Sequence, residues 1–126
     1  MPAFDSITEP AIVALVDRFY AKARRDSEIG PLFEAAVADW DEHLDKLHDF
    51  WSSVMLTTGR YKGNPMAAHV KHPIEKRFFA RWLALWRETA EEVFAPEEAA
   101  RLQDKAERIA ESLKLALFYR PGSHKL

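Results

Sequence analysis

Residues 63–73, GNPMAAHVKHP, carry two of the chain's five histidines, three positions apart, with a proline before them and another directly after the second. On one helical turn, His69 and His72 could clasp a single metal ion. No carboxylate falls four residues beyond either of them, and the chain has no cysteine to complete a zinc set. His43 and His48 are five apart and diverge on a helix. A cage made only of protein ligands is therefore disfavoured. A single imidazole–iron bond to a macrocycle needs less: one histidine on a constrained segment, facing apolar walls. Three other polar tips sit within apolar patterns on three separate stretches: the Tyr20 hydroxyl, the His43 imidazole and the Trp82 indole N–H. Facing inward, each must find a hydrogen-bond partner. They either converge on one pocket or are separately satisfied at the edge of a core, and periodicity alone leaves both readings open.

Other chemistries find little support. The chain has no phosphate-cradling glycine loop, no dinucleotide fingerprint and no nucleophile elbow. Its acidic stretches, such as APEEAARLQDKAER, read as i,i+4 charge pairs on a solvated face. With 18 basic and 20 acidic residues, the net charge of −2 gives no footprint for nucleic acid or an anionic membrane. The N-terminus lacks the basic-then-apolar pattern of a secretory signal, and no apolar run approaches the ~18 residues of a membrane span. The expectation is one cytoplasmic domain over residues 1–126, with a frayed tail at about 121–126. Four Trp, three Tyr and eight Phe are many for this length. Such rings can line a cavity for a flat apolar guest, and they can equally be core filler.

These residues need elements to position them. Over residues 11–24, Ile12, Leu15, Val16, Phe19, Tyr20 and Ala23 trace one helix face, with Thr8 as cap and Pro10 in the first turn. Gly30 and Pro31 break the pattern and leave Phe33 after a tight turn. Asp39 and Glu42 form a capping-box pattern that opens a second long helix, facing inward through Trp40, His43, Leu47, Phe50, Trp51 and Val54 and ending at Gly59. Only one helical turn, around Met66–Val70, fits between Gly63 and Pro73. A third long helix from about Ile74 to Val93 aligns Phe79, Trp82, Leu83, Trp86, Ala90 and Val93. A fourth follows Pro96, with a stripe of Leu102, Ala106, Ile109, Ala110, Leu113 and Leu117, and stops at Pro121 and Gly122. The fold class is all-α.

The order Phe19–Tyr20, IGPLF at 29–33, Trp40–His43, Phe50–Trp51, Y-x-G-x-P-x-x-x-H at 61–69 and FF-x-x-WL at 78–83 resembles the truncated haemoglobins, most of all their third group. The resemblance spans roughly residues 4–120. It implies a shortened globin, two helices crossed over two, around haem b (iron protoporphyrin IX). It makes His69 the proximal iron ligand and leaves His72 unassigned. Tyr20, His43 and Trp82 become the set that stabilises a distal ligand, and Phe33 wedges against the haem. Leu47, Phe50, Trp51, Met66 and Phe79 become apolar wall, while Lys46 and Tyr61 become candidates for the propionates. The implied function is reversible binding of O2 and other small ligands (CO, NO, cyanide). Peroxidase-like or NO-detoxifying turnover, with an unidentified reductase, is a further possibility, in a monomer or weak dimer. The competing expectation is a haem-free α-helical interaction module, its aromatics core and its histidines incidental.

Overall fold

The computed structural model describes residues 4–118. Among them are six helices: α1 (Glu9–Ala23), α2 (Gly30–Ala36), α3 (Trp40–Leu56), α4 (Pro65–Val70), α5 (Lys76–Val93) and α6 (Pro96–Phe118). The stop expected at Pro121–Gly122 and the tail at 121–126 lie outside the described residues.

The caps form where the sequence places them. Thr8 Oγ1 accepts from the Ala11 amide at 3.3 Å, and Asp39 Oδ1 accepts from the Glu42 amide at 3.2 Å. The Glu42 carboxylate does not complete a capping box; it turns instead to Lys46, at 3.5 Å. Asn64 caps α4 through the Ala67 amide at 3.1 Å, with Pro65 in the first turn.

Three expectations are corrected. The break after α1 is not only a turn: residues 30–36 form the short helix α2, which sequence periodicity cannot reveal in seven residues. The end of α3 falls at Thr57, in the left-handed region at φ 53°, before Gly59 is reached. The helix α5 opens at Lys76, because Pro73 keeps the residues next to it out of helical geometry.

The helices α1 and α3 pack together, α5 and α6 pack together, and α1 crosses α5, which is the two-over-two arrangement. The inward face of α1 is buried throughout, from Ala11 to Ala23. At the centre, Trp86 stacks between Trp51 and Trp82, with ring centroids at 4.4 and 5.6 Å and interplanar angles of 22° and 13°. Phe19 meets Trp86 edge-on at 5.1 Å. Such pairs add about 0.5–1.5 kcal/mol each beyond the area they bury. A single parallel bridge, Phe4 with Phe94, ties the N-terminal segment to the α5–α6 corner.

The α1–α2 corner leaves no room at Gly30. A Cβ there would stand 2.7 Å from the Arg24 carbonyl oxygen and 3.2 Å from that of Ala23. Both are backbone atoms, so the corner itself would have to open. Gly30→Ala is expected to destabilise the protein by about 1–3 kcal/mol, as overpacking does, measured by urea unfolding.

Candidate functional site

The packing of α1 with α3 and of α4 with α6 leaves a cavity of about 780 Å3, to which all six helices contribute side chains. His69 stands on one wall. Its Nδ1 lies 2.6 Å from the Pro65 carbonyl oxygen, one turn back on α4. A carbonyl only accepts, so Nδ1 carries the proton and donates it. In the neutral ring Nε2 then bears a lone pair, which is the tautomer a metal requires, with the other nitrogen held by a carbonyl.

The three polar tips converge on the same cavity. Tyr20, His43 and Trp82 all line it, from α1, α3 and α5 respectively. Tyr20 is 5% exposed. Burial pushes its phenol far above the usual value, and the hydrogen bond from Trp82 offsets part of that rise. The phenol is therefore a neutral O–H donor at any ordinary pH. The Tyr20 ring meets Phe33 edge-on at 5.5 Å and His43 edge-on at 6.1 Å. Burial, then Lys46, then His69 hold the His43 imidazolium below its ordinary range. His43 is accordingly neutral at pH 7. Beside it, the Trp40 indole N–H is buried without a partner, its ring covered by the Arg24 guanidinium at 4.3 Å.

Leu47, Phe50 and Phe79 line the cavity as expected, together with Phe33. Trp51 reaches its edge but is mainly core, 2% exposed and stacked on Trp86. Met66 is the exception. It is not among the lining residues and packs against Phe79, Ala110 and Leu113, which do line the cavity. Ile109, Ala110 and Leu113 of α6 supply lining that spacing alone does not separate from core, since a stripe facing a cavity has the same period as one facing another helix.

Lys46 and Tyr61 stand at the cavity, Tyr61 edge-on to Phe50 at 5.2 Å with its amide donating to Ser53 Oγ at 2.9 Å. Sequence reasoning missed Arg60, Lys62 and Lys71, which also line it. Arg60 pairs with Glu9 at 3.2 Å and Lys46 with Glu42 at 3.5 Å. These cations lie on irregular backbone or at the end of a short helix, where no periodicity marks a direction. His72 joins them at the cavity's edge. Among the described residues, no three His, Cys, Asp or Glu side chains cluster as they would to hold a metal ion.

The fit to a haem is thus good on three counts: one imidazole with a free Nε2, an apolar slot, and cations at the slot for two carboxylates. Comparison with known proteins agrees. The family model for bacterial-like globin matches residues 2–117. This chain is a bacterial-like globin. Globins of this family bind a small ligand through haem, and the all-α fold is that of a truncated globin. The globin is 32% identical over 126 residues to the group 3 truncated hemoglobin ctb of Campylobacter jejuni, covering 96% of this chain and 98% of that protein. The crystal structure of the group III truncated hemoglobin from Campylobacter jejuni superposes with a TM-score of 0.89, over 98% of this chain and 100% of that one. No helix among the globin's described residues is long and apolar enough to cross a membrane.

The depressed His43 makes a pH dependence. Below the ordinary histidine value of 6.5 the unfolded chain takes up a proton that the folded globin resists. The stability associated with neutral His43 is therefore full above 6.5 and is lost as pH falls through the lower folded value. His43→Gln should flatten the loss of stability between about pH 7 and pH 5, read from urea midpoints across that range. An unchanged slope would assign the loss to other groups.

Proposed function

We propose that this globin holds haem b in the cavity through Nε2 of His69 and reversibly binds O2 and other small ligands, such as CO, NO and cyanide, on the side faced by Tyr20, Trp82 and His43. The observation that carries this reading is the His69 Nδ1–Pro65 carbonyl bond, which fixes the tautomer and presents Nε2. When bound, the haem supplies an iron centre with one coordination position open to a diatomic ligand.

The chain's own residues do the rest. Phe33, Leu47, Phe50 and Phe79 form a wall that takes the macrocycle out of water. Burying on the order of 400 Å2 at ~25 cal/mol per Å2 is worth roughly 10 kcal/mol. Lys46, Arg60, Lys62 and Lys71 are the groups available to the two propionates, and Tyr61 offers a hydroxyl. Above the ring, Tyr20 donates its phenolic proton towards a ligand, and Trp82 keeps that phenol oriented. Neutral His43 can donate or accept there. Each neutral donor aimed at a partly negative ligand is worth about 1 kcal/mol, and more where water is excluded.

The haem-free interaction module is disfavoured by membership of the globin family and by the convergence of three polar tips and one tautomer-locked histidine on one cavity.

Two measurements test the proposal. Titrated with haemin, the unmodified globin should develop a Soret band, and His69→Ala should lose it or show the spectrum of a weakly held, exchangeable haem. An unaltered spectrum in His69→Ala would place the iron ligand elsewhere. Tyr20→Phe should raise the O2 dissociation rate by about 5-fold or more, the factor that ~1 kcal/mol represents. A rate equal to that of the unmodified protein would remove Tyr20 from the donor set.

A further inference from the structure

The corner between α1 and α2 holds a carboxylate that ligand binding does not use. The Asp26 side chain is 7% exposed. Its Oδ2 accepts from the Glu28 and Ile29 amides, both at 3.0 Å. Its Oδ1 accepts from Arg81, 55 residues along the chain on α5, through Nε at 2.8 Å and a terminal nitrogen at 2.6 Å. The two oxygens thus have separate tasks: Oδ2 shapes the corner, and Oδ1 binds that corner to α5. The Arg81 guanidinium, first of all, holds this carboxyl below the usual range, so the pair is charged at neutral pH.

Each end of this pair adjoins a distal donor. Arg81 immediately precedes Trp82. Asp26 follows α1, whose last turns carry Tyr20, and its corner leads through Ile29 into α2 and Phe33. Other contacts between α1 and α5 are of two weaker kinds. Phe19 touches Trp82 and Trp86 edge-on, at 5.9 and 5.1 Å, and apolar contact of this sort constrains direction little. Lys22 and Arg18 pair with Glu88 and Glu92, whose side chains are 58% and 36% exposed, so solvent screens these pairs more than it screens Asp26. Arg77, one turn before Arg81, reaches Glu28 at 3.2 Å, again in the open. In Asp26–Arg81 a buried carboxylate oxygen takes two charge-assisted contacts from a partly exposed guanidinium while the other oxygen is held by two backbone amides, so the carboxylate is fixed from both sides.

We propose that Asp26 is a positioning residue for the ligand pocket: its grip on Arg81 sets the register of α5 against the α1–α2 corner, and with it the approach of the Trp82 N–H to the Tyr20 hydroxyl. The ligand-side consequence rests on the haem reading; the register itself does not.

Asp26→Asn separates the two tasks. Its carbonyl oxygen can replace Oδ2 and keep both amide bonds, while its NH2 faces Arg81 and cannot accept. Arg81→Lys leaves Asp26 and the corner intact and keeps the charge, but loses the fork. Both are compared with Glu92→Gln, which weakens the α1–α5 pairs of Arg18 and Lys22 and leaves Asp26–Arg81 untouched. The full chain, labelled with 15N in its indoles, is measured with and without added haemin, and the Trp82 N–H signal is assigned by its loss in Trp82→Phe. With haemin and reductant, the C–O stretching band of added carbon monoxide and the O2 dissociation rate are also recorded.

The expected result is a displaced Trp82 indole signal in Asp26→Asn, a smaller displacement in Arg81→Lys and none in Glu92→Gln. The carbon monoxide band should move in the same order, and O2 dissociation should rise about 5-fold in Asp26→Asn as the donor is misaimed. Thermal melting stays cooperative in all three. An unmoved Trp82 signal and band in a cooperatively folded Asp26→Asn or Arg81→Lys protein would overturn the proposal. If Asp26→Asn does not fold, Arg81→Lys decides alone. If the unmodified chain takes up no haemin, the haem reading fails, and the indole signal of the haem-free chain still decides the grip.

Discussion

The donation from His69 Nδ1 to the Pro65 carbonyl is the contact on which the site depends. It operates within one turn of a six-residue helix that is interrupted at both ends. Asn64 caps its start, Pro65 contributes a carbonyl while lacking an amide proton, and Pro73 prevents continuation into α5. A short helix freed from its neighbours can take its own axis across the mouth of the fold. It packs against α6 and points its imidazole into the cavity. Were residues 56–76 one continuous helix, His69 would follow the axis of α3 and could not stand opposite His43.

Charge is distributed across the cavity by dielectric logic. Inside, the groups are neutral: a phenol that burial keeps protonated, an indole, and an imidazole that burial, with Lys46 nearby, keeps uncharged. Neutral donors cost less to bury than ions, and they act most strongly where water is absent. The cations Lys46, Arg60, Lys62 and Lys71 occur on α3, on the connector and at the end of α4. There they suit the carboxylates of an amphiphilic ring whose other edge lies in the slot. Asp26 breaks the pattern as a buried carboxylate, and its near partners are all donors: two amides and a guanidinium.

The core is built to leave that slot open. The Trp51–Trp86–Trp82 stack and the inward face of α1 form a rigid block on one side. Most of α3's apolar stripe is only half-buried because it faces the cavity; among its residues only Trp51 and Ser52 are fully buried. Ser52 donates to Glu9 at 2.6 Å and contacts Thr58 at 2.7 Å, and Glu9 also holds Arg60. The connector that leads to His69 is thereby tied to the start of α1 before it turns across the cavity.

What the sequence determined by itself was local and periodic. The stripe from Ile12 to Ala23, the caps at Thr8 and Asp39 and the broken helix around His69 follow from spacing, side-chain capping and proline geometry, which act within a few residues. The spacing of its motifs also matched a known family. Tertiary structure decided what faces what. A periodic stripe looks the same whether it meets a helix or a cavity, so Ile109 and Leu113 are indistinguishable from core by spacing alone, and only packing shows Met66 one layer out, against Phe79, Ala110 and Leu113. The helix α2 is too short to show a period, and the cations Arg60 and Lys62 lie on a connector with no period at all. The Asp26–Arg81 grip joins residues 55 apart, a pairing that chain-local physics does not encode and only packing of the helices brings about.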